Sequence, residues 1–429
     1  MPNLLIIGGA GDMVTVTIKV MLEHDEDIHL TIVDYDSKKL EQKRQCLGNP
    51  SRARFVQGDL FDKTRMNELM SGSDLVLNAA GPYYKTASPV LEICMHQKVN
   101  YCDLNDEAES SMDLIAMHEH IKQAGIGAYI GNGASPGVTN IWAKELMEEL
   151  NEPEGVDTIW CTGDEGPVPY GRAVLAHTVG ICGGHKEALS YKNSKTTKIP
   201  SFVLGEKVRF SQPLGEYMVY ELAHPEPLTI PHYYPHLKQV RNLGGVHPQP
   251  QNGLLRGVSQ AVYNNHLTID EVIDFIQAIN VGKLGSMKCW KYAWAGMRQQ
   301  VKTGECTSSD FWEFVWKGLR GKRYEYRGGI VVRVWGRKGG RQVTLVRRSS
   351  VSGPGELFNN MAQATGTPFA ALSRMVLDGK VSPQYQRGVF SSEAWVDVNT
   401  FYNYMERYGV KQSQLVEPIF EEIISTPIM

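Results

Sequence analysis

Leu4-Leu5-Ile6-Ile7-Gly8-Gly9-Ala10-Gly11-Asp12-Met13-Val14 sets four aliphatic residues ahead of a glycine-rich turn, and a helical stretch over Thr15–His24 follows. A short apolar run closed by glycines reads as a strand buried on both faces. In the G-x-G-x-x-G pattern Gly9 lets the chain turn sharply, and Gly11 lets the backbone approach a pyrophosphate. The helix behind them offers its first-turn amides and positive dipole end to that anion. Val14 stands where the third glycine is usual. That glycine mainly serves helix packing, so the change leaves the anion chemistry intact and puts the seating of the first helix in question. Such a turn also occurs without a ligand; the order strand, turn, helix favours a nucleotide.

Working outward, apolar runs recur at Leu4–Ile7, His29–Val33, Arg54–Val56, Leu75–Leu77, Val99–Cys102 and Ala128–Ile130. Helical stretches lie between them at Ser37–Leu47, Lys63–Met70, Ser88–Gln97 and Met112–Ala124. This alternation predicts an α/β fold, a Rossmann-type doubly wound parallel sheet. Ser88-Pro89 reads as an N-cap with proline at the first helical position, and Gly125 closes the last helix. Asp34, 23 residues beyond Gly11, ends the second strand. A carboxylate there accepts from both ribose hydroxyls and repels a 2′-phosphate, which favours NAD. Lys38-Lys39 keep NADP as the alternative, and Asp36-Ser37 reads as a helix cap. Gly58-Asp59-Leu60 follows the third strand, where adenine lies in such sheets, and Asn78-Ala79-Ala80-Gly81-Pro82 follows the fourth. The expected cofactor-binding set is therefore Gly9, Ala10, Gly11, Asp12, Met13, Asp34, Asp59, Leu60, Ala79, Ala80 and Gly81.

The whole chain of 429 residues carries 44 Lys+Arg against 47 Asp+Glu, a net charge of −3 that calls for neither nucleic acid nor an anionic membrane. No apolar run approaches the ~18 residues that span a bilayer. Met1-Pro2-Asn3 supplies no basic leader region, and seven cysteines lack CxxC or Cys/His ligand spacing. The expectation is a cytoplasmic protein with no metal site. Between Arg320 and Arg348 there are ten Lys/Arg and one acid, Glu325, either a solvated hairpin or an anion-binding surface.

From 141 to 350 the alternation stops. Val156–Cys161, Ala173–Thr178, Lys207–Phe210 and Tyr217–Leu222 read as strands, and Leu267–Asn280 as a helix opened by a Thr268/Glu271 capping box. Phe311-Trp312 and Val315-Trp316 place large apolar side chains on a short helix, read as core or dimer interface. Ile330–Trp335 and Gln342–Arg347 flank the turn Gly336-Arg337-Lys338-Gly339-Gly340, a hairpin. We expect three regions: a dinucleotide-binding domain over 1–140, an α+β second domain with a mainly antiparallel sheet over 141–350, and a helical segment over 351–429 that returns to the first domain. In that last segment the stretch from about 355 to 385 reads as helical, with Thr365-Gly366-Thr367-Pro368 opening its second half. Gly133 to Asn140 makes the exit from the first domain, with Thr139 and Asn140 at the start of a helix over Ile141–Leu150. That helix start either binds a substrate carboxylate or is only capped.

The motifs Gly8-Gly9-Ala10-Gly11-Asp12-Met13, Asn78 to Tyr83, Val99-Asn100-Tyr101-Cys102-Asp103 and Gly133 to Asn140 together resemble the saccharopine dehydrogenase-like family of NAD(P)-dependent oxidoreductases. So do Met361 to Pro368, Gly388-Val389, Glu393 and the Phe401 to Val410 segment. The resemblance implies hydride transfer at a C–N carbon, amine to imine or the reverse, on an amino-acid-like substrate. Such a reaction also needs a proton handler and a group that holds the substrate carboxylate. His224, within Tyr220 to Glu226, suits the proton because its ordinary pKa of ~6.5 lies near neutrality; Asp103 and Tyr83 are the other catalytic candidates. Arg172, with its planar fork, is the expected carboxylate partner, and His177, Thr139, Asn140 and Tyr101 complete the substrate set. A homodimer is expected. Short-chain dehydrogenase chemistry at a C–OH carbon is the enzymatic alternative, disfavoured because no Tyr-x-x-x-Lys lies between Tyr83 and Asn140. A non-catalytic NAD(P)-binding sensor or scaffold is the other.

Overall fold

The computed structural model describes residues 1–163, 171–183, 187–350, 357 and 360–423. They form two compact units. The first comprises Met1–Glu149, Leu228–Tyr234 and Ala362–Ser413; the second comprises Leu150–Pro227 and Pro235–Met361 with the residues from Gln414 onward.

The first unit is built on seven strands, all parallel: β1 (Asn3–Ile7), β2 (His29–Asp34), β3 (Ala53–Gln57), β4 (Leu75–Asn78), β5 (Asn100–Asp103), β6 (Gly127–Ile130) and β15 (Gly388–Ser391), numbered along the whole chain. Their order is β15-β6-β5-β4-β1-β2-β3. Ile6 pairs with Ile32 on one side and Leu77 on the other, and all three are fully buried. The central strands β1, β4 and β6 have almost no solvent face, which is why they read as continuous rather than alternating, while edge strand β3 is only partly covered. The order reverses direction beside β1, and open α/β sheets bind ligands at the carboxyl ends next to that point.

Four expectations change here. The fourth helix runs from Tyr83 to Gln97 with Pro89 inside it, so Ser88-Pro89 is not its start. The Glu107 carboxylate accepts from the Tyr83 and Tyr84 amides and caps the helix a turn earlier. The stretch expected over Met112–Ala124 is two helices, Ala108–Ala116 and His118–Ala124, that meet at Met117. The exit helix spans Val138–Glu148 and stays in the first unit. Lys144 donates to the Val396 carbonyl and Tyr402 to Glu145, so the boundary falls at 149 rather than 140. The C-terminal helix runs unbroken over Met361–Leu377, with Thr365 to Pro368 inside it rather than opening it.

The returning segment is locked by charge. Asp25, fully buried, meets Arg374 at 3.8 Å and Arg407 at 2.5 Å and accepts from the Tyr408 hydroxyl. Arg374 also grips Asp27 in a bidentate pair, which holds that carboxyl at about 2. Val14 is buried, and the close approach a third glycine would allow comes from the other partner. Gly366 presses against the Met13 carbonyl and accepts from Thr17 at 2.9 Å.

The second unit holds a nine-stranded mixed sheet: β7 (Glu152–Thr162), β8 (Glu187–Lys192), β9 (Lys195–Pro200), β10 (Gly205–Arg209), β11 (Glu216–Glu221), β12 (Gln239–Val246), β13 (Gly329–Lys338), β14 (Arg341–Arg348) and β16 (Phe420–Ile423). The main path is β10-β11-β12-β7-β13-β14-β16, and only β12 and β7 run parallel in it. β16 pairs with β14, so the last described residues belong to this sheet. The stretch expected as a strand over Ala173–Thr178 is a helix, Arg172–Ile181. Leu175 and Val179, four apart, bury one face, and that spacing outweighs the β-branched composition.

One face of the sheet packs on the helices Pro250–Tyr263 and Met287–Lys302. Their backbones touch through Gly253, Gly257 and Gly296, where an added methyl group would run into main-chain atoms of the opposite helix. On the helix Ser308–Leu319, Phe311 enters the core while Trp312 and Trp316 stay exposed at 63% and 56%.

Candidate active site

At the carboxyl ends of β1 and β2 the glycine turn folds back on the sheet. Gly8 and Gly9 both donate to the Val33 carbonyl, and Gly11 donates to Gly8. The left-handed residue is Gly8, at φ +80°, and not Gly9. Gly9 is required for space, because a side chain there would strike Ile32 of β2. The helix Asp12–His24 starts at Gly11 with no side-chain cap, so its first-turn amides keep their donor capacity for an anion. Asp12 would oppose that anion, but Lys43 sits 2.6 Å from its carboxylate.

Asp34 uses one oxygen to accept from the Ala10 amide at 3.0 Å and the other to accept from the Asp36 amide at 3.0 Å. Its charge is therefore turned toward the turn itself. Asp36 caps the next helix through the Lys39 amide, as expected. Asp59 is exposed and accepts from the Phe61 amide, with Leu60 half-buried between them. Ala79 and Ala80 are half-buried beyond β4, and Gly81 has open space where a side chain would stand. Sequence reasoning passed over Tyr35 and Phe61, exposed at 74% and 58% just beyond β2 and β3. The signal was present: each is an aromatic directly or closely following the acidic residue at a strand end.

Behind β4 and β5 lies a buried polar chain. Asn78 donates to the Tyr101 hydroxyl at 3.0 Å and accepts from the Ala80 amide. Tyr101 donates to Asp103 at 2.9 Å. The other Asp103 oxygen accepts from the Gly131 amide at 2.8 Å and the Asn105 amide at 3.1 Å. Those donors favour the carboxylate, yet complete burial prevails and pushes the Asp103 carboxyl up to about 7. Tyr83 is buried beside this chain, its phenol raised by burial and by the nearby charge of Asp103. The structure thus gathers Tyr83, Tyr101 and Asp103 together. Tyr101 serves as a link in the chain rather than as an open substrate contact.

Thr139 and Asn140 do not offer an open helix end. Both are fully buried, and Asn140 accepts from the Gly137 amide and the Thr139 hydroxyl. Its amide nitrogen donates to Glu393 at 2.9 Å. Glu393, which carries no assigned role in the sequence reading, is wholly buried, and burial raises its carboxyl. The helix start is thus capped from within.

In the second unit His224 is buried, and its Nδ1 lies 2.7 Å from Glu226 Oε2. Asn242 of β12 donates to Glu226 Oε1 at 3.1 Å, and the Trp160 indole donates to Asn242 at 3.2 Å. Glu226 and Asn242 went unassigned in the sequence; the separation of two residues in His224-Pro225-Glu226 was the available clue. A histidine braced by a buried carboxylate is the arrangement that general acid–base sites use. Arg172 is placed otherwise than expected. It is exposed, and its fork closes on Asp274 and Asp270 at 2.5 Å each, so carboxylates of its own unit fill it. His177 sits half-buried on the same helix rather than on a strand. Much of the basic stripe is also used internally. Arg333 pairs with Asp157 and Glu206, Arg337 with Glu152 and Lys338 with Glu421, while Arg347 donates to a carbonyl. Those pairings favour the hairpin reading over an anion-binding surface.

A doubly wound parallel sheet with an uncapped glycine turn at its switch point defines the first unit as a dinucleotide-binding domain. Comparison with known proteins agrees. Residues 4–128 match the family model described as the saccharopine dehydrogenase NADP binding domain. The chain is 25% identical over 206 residues to carboxynorspermidine synthase of Vibrio cholerae, covering 37% of this chain and 49% of that protein. It is 24% identical over 285 residues to carboxynorspermidine synthase of Vibrio alginolyticus, covering 53% of this chain and 68% of the relative. The first match therefore spans about half of that relative's length. Among solved structures, the apo saccharopine dehydrogenase (L-Glu forming) of Saccharomyces cerevisiae shares the fold, with a TM-score of 0.62 at 14% identity over 99% of this chain and 100% of that one. These findings give residues 4–128 the likeness of a saccharopine dehydrogenase NADP binding domain and the chain as a whole the fold of the yeast enzyme. No helix among the described residues is long and apolar enough to cross a membrane.

Proposed function

We propose that the chain is an NAD(P)-dependent oxidoreductase that transfers hydride at the C–N carbon of an amino-acid-like substrate. The observation that carries this is the uncapped turn at Gly8 to Asp12 inside a domain of the saccharopine dehydrogenase NADP binding type. The names of the relatives, carboxynorspermidine synthase and saccharopine dehydrogenase, both refer to amino-acid derivatives and support the substrate class.

The residues present fit a dinucleotide. Glycines at 8, 9 and 11 keep the turn free of side chains, and the amides of Asp12 and Met13 would receive the pyrophosphate. Tyr35 and Phe61 offer flat faces for adenine. Gly81, with open space at its Cα, leaves a passage past β4. The family description favours NADP over the NAD expected from Asp34, and the geometry supports that preference. The Asp34 carboxylate is directed at two amides, while Lys38 and Lys39 stand exposed in the next turn. When bound, the nicotinamide supplies or accepts the hydride. The chain's own part is to hold the substrate and manage one proton, at His224 or at Asp103, each buried and each held by fixed partners. We assign the step to His224, with Asp103 as the second candidate.

A homodimer is part of the proposal, supported by the exposed stripe Trp312, Trp316 and Leu319 on one helix. So is a cytoplasmic setting, supported by seven unpaired cysteines.

Titration of the purified protein with NADH and NADPH, followed by nicotinamide fluorescence, tests the cofactor. Binding of NADPH ahead of NADH, with Asp34→Ala changing that preference by no more than about threefold, is the expected result. A screen of keto acid–amine pairs then follows nicotinamide absorbance. Failure to bind either nucleotide overturns the proposal.

A further inference from the structure

The polar chain behind His224 has a direction that the atoms themselves impose. An indole N–H can only donate. Trp160 Nε1 therefore requires the oxygen of the Asn242 amide, 3.2 Å away. At the other end of that amide, Asn242 Nδ2 lies 2.9 Å from Thr158 Oγ1, whose own proton is directed to the Arg241 carbonyl at 3.3 Å. The threonine oxygen must then accept, so both ends of Asn242 are fixed and the amide cannot be reversed. Its NH2 group also donates to Glu226 Oε1 at 3.1 Å. Glu226 Oε2 is left facing His224 Nδ1 at 2.7 Å. Once Glu226 is ionised, as in the alkaline measurement described below, its carboxylate is an acceptor only and Nδ1 carries the proton.

We propose that Trp160, Asn242 and Glu226 are positioning residues that hold neutral His224 in the Nδ1–H tautomer, making Nε2 the atom that takes and returns the proton. The catalytic half of this inference rests on the assignment of the proton step to His224; the tautomer itself does not. The chemistry balances simply. In amine oxidation Nε2 accepts the nitrogen's proton while hydride leaves the adjacent carbon for the nicotinamide. In imine reduction the imidazolium gives that proton back from Nε2.

The isosteric variant Glu226→Gln makes a sharp test, because Asn242 still donates toward residue 226. The glutamine must answer with its carbonyl, which turns its NH2 group to His224. Nδ1 then has to accept, and the ring proton moves to Nε2. The measurement is the 15N spectrum of the full-length protein labelled at histidine nitrogens, recorded at alkaline pH, with His224→Gln for assignment. The wild-type protein is expected to show a protonated Nδ1 and an unprotonated Nε2 for His224, with the two exchanged in Glu226→Gln. A protonated Nε2 in the wild type, or an unchanged pattern in the variant, overturns the inference. The wild-type spectrum decides even if the variant folds poorly. With a substrate in hand, kcat of the variant should fall roughly 100-fold or more at nearly constant KM, the scale of general acid–base effects. An exchanged tautomer with unaltered kcat keeps the positioning chain and removes His224 from the proton step.

Discussion

Replacing Asp103 by asparagine should make the protein's stability less sensitive to pH, in a way the geometry specifies. The carboxyl is raised from its ordinary 3.8 to about 7 because it is completely buried, and three hydrogen bonds fail to compensate. A raised carboxyl means that folding favours the protonated form. Its contribution is therefore fully present below about pH 4, declines as the pH rises, and levels off above about 7. Between pH 5 and pH 8 the wild type should lose roughly 3 kcal/mol from this group alone, by linkage between the two pKa values. Asparagine keeps the two amide donors from Gly131 and Asn105 on its oxygen but cannot titrate. It also turns an NH2 group toward the Tyr101 hydroxyl, a fixed cost of ~1–3 kcal/mol that does not vary with pH. The assay is urea unfolding of both proteins at pH 5 and pH 8, followed by circular dichroism. Asp103→Asn should be the less stable protein at pH 5 and should recover about 2–3 kcal/mol relative to wild type at pH 8. A difference between the proteins that stays constant across this range would show that Asp103 is ionised throughout, and would remove it as a proton donor near neutrality.

Three further outcomes follow from packing and charge. Gly296→Ala forces a methyl group into the backbone of Gly253 and Gly257, so thermal unfolding should drop by the equivalent of about 1–3 kcal/mol; Gly318→Ala, on a helix with open space, should instead gain up to ~1 kcal/mol. Equal effects would refute the close crossing of the two helices. Arg374→Met strands part of the charge of buried Asp25 and should cost about 3 kcal/mol in urea unfolding, while removing the acid-side loss of stability that Asp27 shows as pH falls through about 2; a loss under ~1 kcal/mol would contradict the lock. Gly366→Ala pushes the C-terminal helix off Met13 and should weaken NADPH binding several-fold in the fluorescence titration, whereas unchanged affinity would separate that contact from the phosphate turn.

What was legible in the sequence and what was not divides along the range of the interactions. The central N-terminal strands could be read because burial on both faces demands uninterrupted aliphatic runs, and the glycine turn because only glycine fits at Gly8 and Gly9. Even there the sharp turn read at Gly9 belongs to Gly8, since whether Gly9 is needed for its φ or for space depends on Ile32, a residue of another strand. The helix at Arg172 was misread for the same reason. Its composition favours a strand, and only the packing of Leu175 and Val179 within their unit decides otherwise. Arg172 and Asn140 show the limit for site residues. Each is chemically suited to hold a carboxylate, and each does so, but the carboxylates are Asp270, Asp274 and Glu393 of the chain itself.

That pattern gives a criterion for the remaining candidates. A residue type announces what it can bind; the partner decides whether that capacity is left for a ligand. Arg172 has two acids within 2.5 Å and so has its capacity filled. His224 differs in kind, because its partner Glu226 engages Nδ1 and, in the proposal above, orients the ring for proton exchange. Asp103 differs again, because its three donors hold it in place without overcoming the cost of burying its charge. A partner that occupies a group marks structure, and a partner that orients or perturbs one marks chemistry. By that measure we propose Asp103 and His224 with Glu226 as the groups to test first, ahead of Arg172, Thr139 and Asn140.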